Sequence, residues 1–403
     1  MSKRILFINC SDSGSTGTII RDTVLSLNQH GWDSYLCVPR ISSDTKLYKD
    51  VFETSAKYEQ GVYFRISKWL SNPLGFAPLS TTRIKKVIKR VKPDIIHVHC
   101  INSYMCDVYS ILQYIKESRI PTVITNHAEF YYTGSCAHAN ECNQWMMGCE
   151  KCPQLKKPEK AKVFWNRMQR SFFGFDKCIV TSVSPWVMSR SSSSGIMKGI
   201  PQLVIENGVD TNIFHPCDSQ SLRDELGIDI NTKVILHVTA LYSTLPGHPK
   251  GGEFIQELAS KFKEDDVKFV VVGNTYEKAL ESNIILCGRI DQREELARYY
   301  SLADVTVLTS KRETFSMPLA ESLCCGTPVI GFMAGGPESI ALPNYTEFCS
   351  YGDVDTVEYL LRNNGFSMKE TFGTRISIDA SEKYERRIMS DKYIKLYNKL
   401  LNL

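Results

Sequence analysis

The sequence predicts an α/β fold built as two doubly wound parallel domains facing each other across a cleft. Three observations carry that prediction. Short apolar runs alternate with amphipathic helical stretches, once along the first half of the chain and again along the second. Strands followed by helices imply parallel sheets with crossover connections. A chain of 403 residues is also long enough for two ordinary domains.

The first series of strand-like runs is Arg4–Cys10, Ser34–Val38, Asp94–His99, Pro121–Thr125 and Cys178–Val183. The second is Val234–Thr239, Val267–Val272, Ile284–Cys287, Asp304–Thr309 and Pro328–Gly331. Between them, "ENGVDTNIFHP" at 206–216 reads as the joint: Asn207-Gly208 is a turn signal and Pro216 closes the segment. The first domain is therefore placed at 1–206, with a Cys-rich insert at 133–153, and the second at 207–379. Residues 380–403 read as a terminal helix. In it Met389, Tyr393, Leu396, Tyr397 and Leu400 recur at three- and four-residue steps, and that apolar stripe needs a surface from one of the domains. Ser191–Ser194, the only low-complexity run, reads as a mobile loop.

Composition narrows the class. A 43% hydrophobic and 23% charged chain is ordinary for a soluble globular protein. No apolar run approaches the length of a membrane span. The apolar stretch near the N-terminus is too short for a signal peptide and suits a first strand. Fourteen cysteines without an export signal point to a reducing, cytoplasmic setting, where thiols or metal ligands are favoured over disulfides.

Charge is divided unevenly. The first 206 residues hold 27 Lys and Arg against 16 Asp and Glu, and the remainder 21 against 28. The basic residues follow no nucleic-acid reading motif, so no nucleic-acid partner is expected. They concentrate in residues 62–92, with eight cations, no acid, and Phe64, Trp69, Leu70 and Phe76 interleaved. Such a stretch is either a solvated helix face or a patch resting peripherally on an anionic membrane surface.

The chemistry concentrates in "KRETFSMPLAESLCCGTPV", residues 311–329, where Glu313 and Glu321 stand eight positions apart. Glu313 follows the predicted strand Asp304–Thr309. Pro318 suits the first turn of a helix and Gly326 its stop. The N–H groups of Phe315, Ser316 and Met317 then lie at a helix N-terminus, a natural seat for a diphosphate. In open α/β sheets ligands bind beyond the carboxyl ends of the strands, which is where this loop is. A carboxylate offers two acceptor oxygens and can grip vicinal hydroxyls. One glutamate on each side of a diphosphate could hold a ribose and a hexose, which together describe a nucleotide sugar.

"ETFSMPLAESLCCGTPVIG", followed by "GGPES", resembles the donor-site signature of retaining family 4 glycosyltransferases of the GT-B fold, whose two domains are Rossmann-like. "SGSTGT", "DIIHVHC", "TNHAEFYYTGSC", "ENGVDTNIF" and "ADVTVLTS" fall in that family's order along nearly the whole chain. The likeness is greatest to bacterial branches that build surface polysaccharide: O-antigen, capsule or exopolysaccharide. The resemblance implies that Glu313 approaches the donor sugar, that Glu321 binds ribose, and that the terminal helix crosses back onto the first domain. It implies a phosphate-binding role for Lys250 in "GHPKGG". The Arg that the family carries upstream of that lysine is missing, and Arg289, Lys311 or Arg312 could replace it.

Gly14 and Gly17 in "SDSGSTGTII" form a strand–helix turn that is not GxGxxG. By resemblance they lie beside the cleft at the donor phosphates or the acceptor. His97 reads as core, while His99 and His127 read as strand-end residues at the mouth of the cleft. By resemblance His127 is the histidine near the reacting sugar. Cys136, Cys142, Cys149 and Cys152 are spaced C-x5-C-x6-C-x2-C, which suits a structural Zn²⁺, with disulfides and free thiols as the other readings.

The expected activity is that of a retaining hexosyltransferase, with a nucleotide-sugar donor (UDP favoured on family frequency, GDP allowed) and a lipid-linked glycan acceptor. No catalytic metal is expected, and the expected setting is the cytoplasm, either free or peripheral at the inner face of the plasma membrane. The alternatives are a sugar-nucleotide epimerase or a phosphorylase on the same fold, or a non-catalytic nucleotide-binding protein. An epimerase needs no acceptor. A phosphorylase needs inorganic phosphate and a cofactor lysine that nothing here marks.

Overall fold

A computed structural model describes residues 2–276 and 281–402. The chain forms two units, Met1–Glu206 with Met389–Leu403, and Asn207–Ile388. Each is a parallel α/β sheet domain.

The first unit holds seven strands: β1 (Arg4–Ile8), β2 (Asp33–Val38), β3 (Asp50–Glu53), β4 (Ile95–Val98), β5 (Thr122–Asn126), β6 (Cys178–Ser182) and β7 (Gln202–Val204). Their order is β3-β2-β1-β4-β5-β6-β7, with every pair parallel. The second unit holds β8 (Lys233–Leu241), β9 (Val267–Asn274), β10 (Ile284–Gly288), β11 (Val305–Leu308), β12 (Val329–Phe332) and β13 (Thr346–Cys349). Their order is β10-β9-β8-β11-β12-β13, again all parallel. Both sheets are thus wound outward in two directions from a central pair, β1–β4 in one and β8–β11 in the other. The gap where the winding reverses is where open α/β sheets bind ligands.

Parallel strands are covered on both faces by their crossover helices, so they read as unbroken apolar runs. In β1, Ile5, Leu6, Phe7 and Ile8 are fully buried, and in β11 so are Val305, Thr306 and Val307. The first core is completed from the far end of the chain. Met389, Tyr393, Ile394, Leu396, Tyr397 and Leu400 of the helix Arg386–Leu401 join Ile5, Phe7, Val24 and Leu36 in one cluster. The return to the first unit begins at Met389, not at 380 as the periodicity suggested. Residues 366–384 form a single helix that belongs to the second unit.

Ser191–Ser194 is not a mobile loop. It closes the helix Pro185–Ser192, with Ser191 and Ser194 buried. Asn126 donates to Ser191 Oγ at 3.1 Å, and Ser194 Oγ donates to the Tyr132 carbonyl at 2.6 Å. Four serines look like a linker in composition, yet two of them are fixed by tertiary acceptors.

Candidate functional site

The β8–β11 switch point gathers most of the sequence-predicted donor residues. Lys250 stands in the loop after β8, just before the helix Gly252–Lys261. Gly251 has φ +64, and a Cβ there would meet the Thr309 carbonyl oxygen at 2.2 Å. Only glycine lets this loop lie against the one that follows β11. Two bonds fasten the approach: Lys311 N–H to the Pro249 carbonyl at 2.9 Å, and Thr309 Oγ to the Lys250 carbonyl at 3.0 Å. As a result Lys250 Nζ makes a direct ion pair with Glu313, both side chains being about one-third to one-quarter exposed.

Glu313 is held by its own backbone. Its N–H donates to the Ala334 carbonyl at 3.0 Å, and its carbonyl accepts from Gly336 N–H at 2.9 Å. The "GGPES" motif has a local explanation here. A Cβ on Gly336 would meet the Thr314 carbonyl carbon at 2.4 Å. The Glu338 carboxylate accepts from the N–H groups of Ala334 and Gly335 at 3.0 and 2.7 Å. Glu338, which carries no evident role in the sequence, is the brace of the Glu313 loop.

The helix after Glu313 is Met317–Cys324, with Ser316 as its N-cap at φ 82 and Pro318 in its first turn. A left-handed serine is uncommon, and such backbone strain collects where a ligand site is pre-shaped. Phe315 and Ser316 are buried and Met317 is half-buried. Glu321 lies one turn in and accepts from Tyr300 O–H at 3.1 Å. Burial pushes the Glu321 carboxyl up to about 7, and the Tyr300 hydroxyl and the Arg293 charge pull the other way. Neither Tyr300 nor Arg293 carries a signal in the sequence. Both come from the helix Arg293–Leu302, brought alongside by the fold.

Arg289 is not part of this constellation. It follows β10, the outermost strand and two strands from β8, where it pairs with Asp291 at 2.6 Å with its side chain 64% exposed. Lys311 and Arg312 follow β11 directly, and Lys311 lies over the Tyr351 ring.

The β1–β4 switch point has a different character. Gly14 opens the helix Gly14–Gln29 at φ +69. A Cβ on Gly17 would meet the backbone of Asp12 at 2.5 Å, so its own loop requires the glycine. Asp12 ties that loop to Ser42 and Ser43, whose N–H groups donate to it at 2.6 and 2.8 Å. His127 follows β5 and is half-buried. His99 does not reach a mouth, as expected from its strand-end position, but is 1% exposed. Its Nδ1 lies 2.9 Å from His127 Nε2. His97 is fully buried, bonded to Tyr397 O–H at 2.6 Å and to Thr125 Oγ at 2.7 Å. Burial depresses all three imidazoles, His127 to about 4, so they are neutral at neutral pH.

The Cys-rich insert is anchored by a buried ion pair that the sequence did not disclose. Glu129, fully buried, accepts from Arg190 Nε at 2.7 Å, Tyr132 O–H at 3.0 Å and Ala139 N–H at 2.6 Å. The Arg190 guanidinium lies over Trp145 and Trp186, and Trp145 donates to the Cys142 carbonyl at 2.6 Å. Cys136 and Cys152 are in side-chain hydrogen-bond contact, and Cys142 and Cys149 bear on the same thiol. Burial and these neighbours push the Cys149 thiol up to about 11. Among the described residues, no group of three or more His, Cys, Asp or Glu is close enough to hold a metal ion. A zinc would have to draw these thiols closer than they stand.

The 62–92 stretch forms two helices, Glu59–Leu70 and Pro78–Val91. The fold supplies acidic partners for two of its cations. Arg83 pairs with Glu59 at 2.6 Å and Arg90 with Asp50 at 3.7 Å, while Lys85 bonds Ser110 at 3.0 Å. Leu70 and Phe76 are half-buried, Phe76 packing against Tyr63. The exposed aromatic residues are those of the first helix and its N-cap, Tyr58, Phe64 and Trp69 with Val62, Trp69 at 79%, while the second helix exposes Leu79, Lys86 and Lys89. Arg65 and Lys68 are exposed on the first helix. Beside it, Arg40, Lys57 and Arg65 line an open hollow of about 640 Å³. No described helix is long and apolar enough to cross a membrane.

Residues 16–213 match the model described as Glycosyltransferase Family 4, and residues 204–370 match Glycosyl transferases group 1. N-acetyl-alpha-D-glucosaminyl L-malate synthase of Bacillus anthracis is 23% identical over 79% of this chain and 78% of its own length. The Escherichia coli (strain K12) glycosyl transferase WcaC, named for colanic acid biosynthesis, is 20% identical over 78% and 79%. The structure of Anabaena Alr3699/HepE in complex with UDP-glucose superposes with a TM-score of 0.68 at 15% identity, covering 98% of this chain and 99% of that one. The fold is GT-B, and the two matched segments are both those of glycosyltransferases.

Proposed function

We propose that this glycosyltransferase is a retaining hexosyltransferase, taking a UDP-sugar as donor and a lipid-linked glycan of bacterial surface polysaccharide as acceptor. The observation that supports it best is the Lys250–Glu313 pair at the β8–β11 switch point, with Glu321 one helical turn beyond. Each charge is the complement of one part of a nucleotide sugar. Lys250 and the N-terminus of Met317–Cys324 take the diphosphate. When the diphosphate arrives, Lys250 exchanges its carboxylate partner for phosphate oxygens. The Glu313 carboxylate is thereby released to accept from hexose hydroxyls. Glu321 accepts from the ribose diol.

Catalysis follows from the same charges. As the glycosidic bond breaks, negative charge grows on the diphosphate, where Lys250 and the helix dipole stabilise it. The departing phosphate oxygen takes the acceptor's proton on the face it leaves, so configuration is retained and no protein base is needed. His127 is the first domain's contribution near the hexose. Lys311 and Arg312 stand in place of the absent upstream arginine. The reading uses no catalytic metal.

Peripheral membrane docking is part of the reading, and the helix Glu59–Leu70 is its element. Aromatic and aliphatic side chains on the outer face of a helix, flanked by Arg65 and Lys68, suit an anionic interface. Zinc in the Cys-rich insert is a separate proposal, resting on the cysteine spacing. Elemental analysis of purified protein should find about one zinc per chain, released by Cys149→Ser with Cys152→Ser; metal-free protein removes it.

The central test is binding of UDP, GDP, ADP and CMP, followed by turnover of the matching sugars with EDTA present. Product carrying the donor's anomeric configuration supports the reading. Conversion of the donor with no acceptor present would point to an epimerase.

A further inference from the structure

The contact between His99 and His127 fixes where the proton of each ring resides. Nδ1 of His99 and Nε2 of His127 are 2.9 Å apart, so one donates and the other accepts. The rings are nearly parallel, 20° apart in plane. The other nitrogen of His99, Nε2, is buried and has no hydrogen-bond partner among the described residues. An orphaned buried N–H is rarer and costlier than an acceptor left without a donor. The proton of His99 therefore belongs on Nδ1, where it is donated to His127. Nε2 of His127 is then the acceptor, and the single proton of that neutral ring lies on Nδ1.

His99 is itself held in place. Its ring centroid is 3.9 Å from that of His97, and both nitrogens of His97 are bonded, to Tyr397 and Thr125. Thr125 in turn bonds Thr181 at 2.6 Å and Tyr393 at 3.1 Å. Two tyrosines of the returning terminal helix thus brace the ring that lies tilted against His99.

We propose that His99 is a positioning residue that sets the tautomer of His127, committing Nε2 as an acceptor and leaving Nδ1–H as the donor that His127 offers. The consequence for the reaction rests on the reading of His127 given under the proposed function. There it acts as a hydrogen-bond donor to a hexose oxygen and not as a base through Nε2. The tautomer itself does not depend on that reading.

The test is a two-bond 1H–15N correlation on protein labelled with 15N-histidine, at pH 7.5. Eight histidines give few enough signals to resolve, and His127→Gln assigns the one in question. Wild type should show His127 protonated on Nδ1. His99→Asn, whose amide can place an N–H near the lost one, should preserve that state. His99→Asp, which offers only an acceptor, should move the proton to Nε2 and lower kcat by about tenfold with little change in donor KM. His127 protonated on Nε2 in wild type overturns the proposal, and that spectrum decides even if a variant fails to fold. An unchanged tautomer in folded His99→Asp overturns it too. If the tautomer moves and kcat does not, the proposal stands and the placement of His127 at the hexose falls.

Discussion

The two switch points share one topology and differ in how they are held. Around β1–β4 the strand ends carry neutral imidazoles at His97, His99 and His127, linked to hydroxyls of Thr125, Tyr393 and Tyr397. Around β8–β11 they carry opposite charges, Lys250 against Glu313, and a recessed Glu321. A network of neutral groups directs hydrogen bonds without attracting ions. An ion pair at a helix N-terminus does the reverse: it is ready to exchange one anion for another. The same doubly wound sheet therefore carries a neutral hydrogen-bonded network in one domain and an ion pair beside a helix N-terminus in the other.

The largest effect expected in the first domain concerns the Glu129–Arg190 pair. Removing one partner of a buried ion pair leaves the other charge unmet, at a cost of about 3–5 kcal/mol. Glu129→Ala should lower the urea midpoint of the first domain and leave UDP binding by the second domain intact. Loss of UDP affinity in folded variant would mean that the two regions are not separable in this way.

In the second domain, Lys250→Ala removes the charge that, on the proposed function, meets the leaving diphosphate. Losing one such group typically costs about 10²–10³ in kcat. Glu313→Ala should also cut turnover, yet leave UDP bound, because it frees Lys250 for phosphate. If both changes weaken UDP binding equally, the division of roles between them is wrong.

Glu321→Ala should weaken UDP by about ten- to hundred-fold, the worth of charge-assisted hydrogen bonds to the ribose, roughly 1.5–3 kcal/mol. Its carboxyl titrates near 7, so the gripping form is lost as pH falls. Affinity for the nucleoside uridine, which has no phosphate to titrate, should rise between pH 6 and 8 in wild type and stay flat in Glu321→Gln. The stability sign is opposite. An acid whose folded pKa is raised binds its proton more tightly when folded, so its charge destabilises the fold as pH rises from about 4.5 through 7. Urea unfolding should find Glu321→Gln equal to wild type at pH 5 and more stable at pH 8. For His127, depressed to about 4, acid is the destabilising direction, with stability lost as pH falls from about 6.5 to 4.

Two smaller effects sharpen the contrast. Tyr397→Phe deletes one bond to His97 and should cost about 0.5–1.5 kcal/mol in the first domain. On the membrane, Arg65→Ser with Lys68→Ser and Trp69→Ser should abolish low-salt co-sedimentation with anionic vesicles. Changing Lys85 and Arg90 should matter less, since the fold already engages both. Wild type remaining in the supernatant at low salt would reduce the exposed aromatic face to ordinary surface.

Legibility tracked burial. The ten apolar runs read from the sequence correspond to the observed strands β1, β2, β4–β6 and β8–β12, with ends shifted by a residue or two. The three that were missed, Asp50–Glu53, Gln202–Val204 and Thr346–Cys349, are all sheet edges. An edge strand of three or four residues is half solvated and need not be continuously apolar, so periodicity has nothing to register. Glu313, Glu321, Lys250 and the helix between the glutamates were legible because one continuous stretch holds strand end, helix start and both acids. Tyr300, Arg293 and Glu338 were not, because each acts through a neighbour that only packing supplies.

By itself the sequence determined the two-fold alternation of strands and helices, the joint near Asn207, and the position of Glu313 before and Glu321 within one helix. These depend on local periodicity, on turn residues and on the fixed rise of a helix, all of which are written along the chain. Tertiary structure decided which of the basic residues at 62–92 remain at the surface and where Lys250 finds its partner. It decided that the serines at 191 and 194 are buried, and that Tyr397 bonds His97 from 300 residues away. Those outcomes depend on which groups burial deprives of water, and a polar group so deprived must bond whatever the fold has placed beside it.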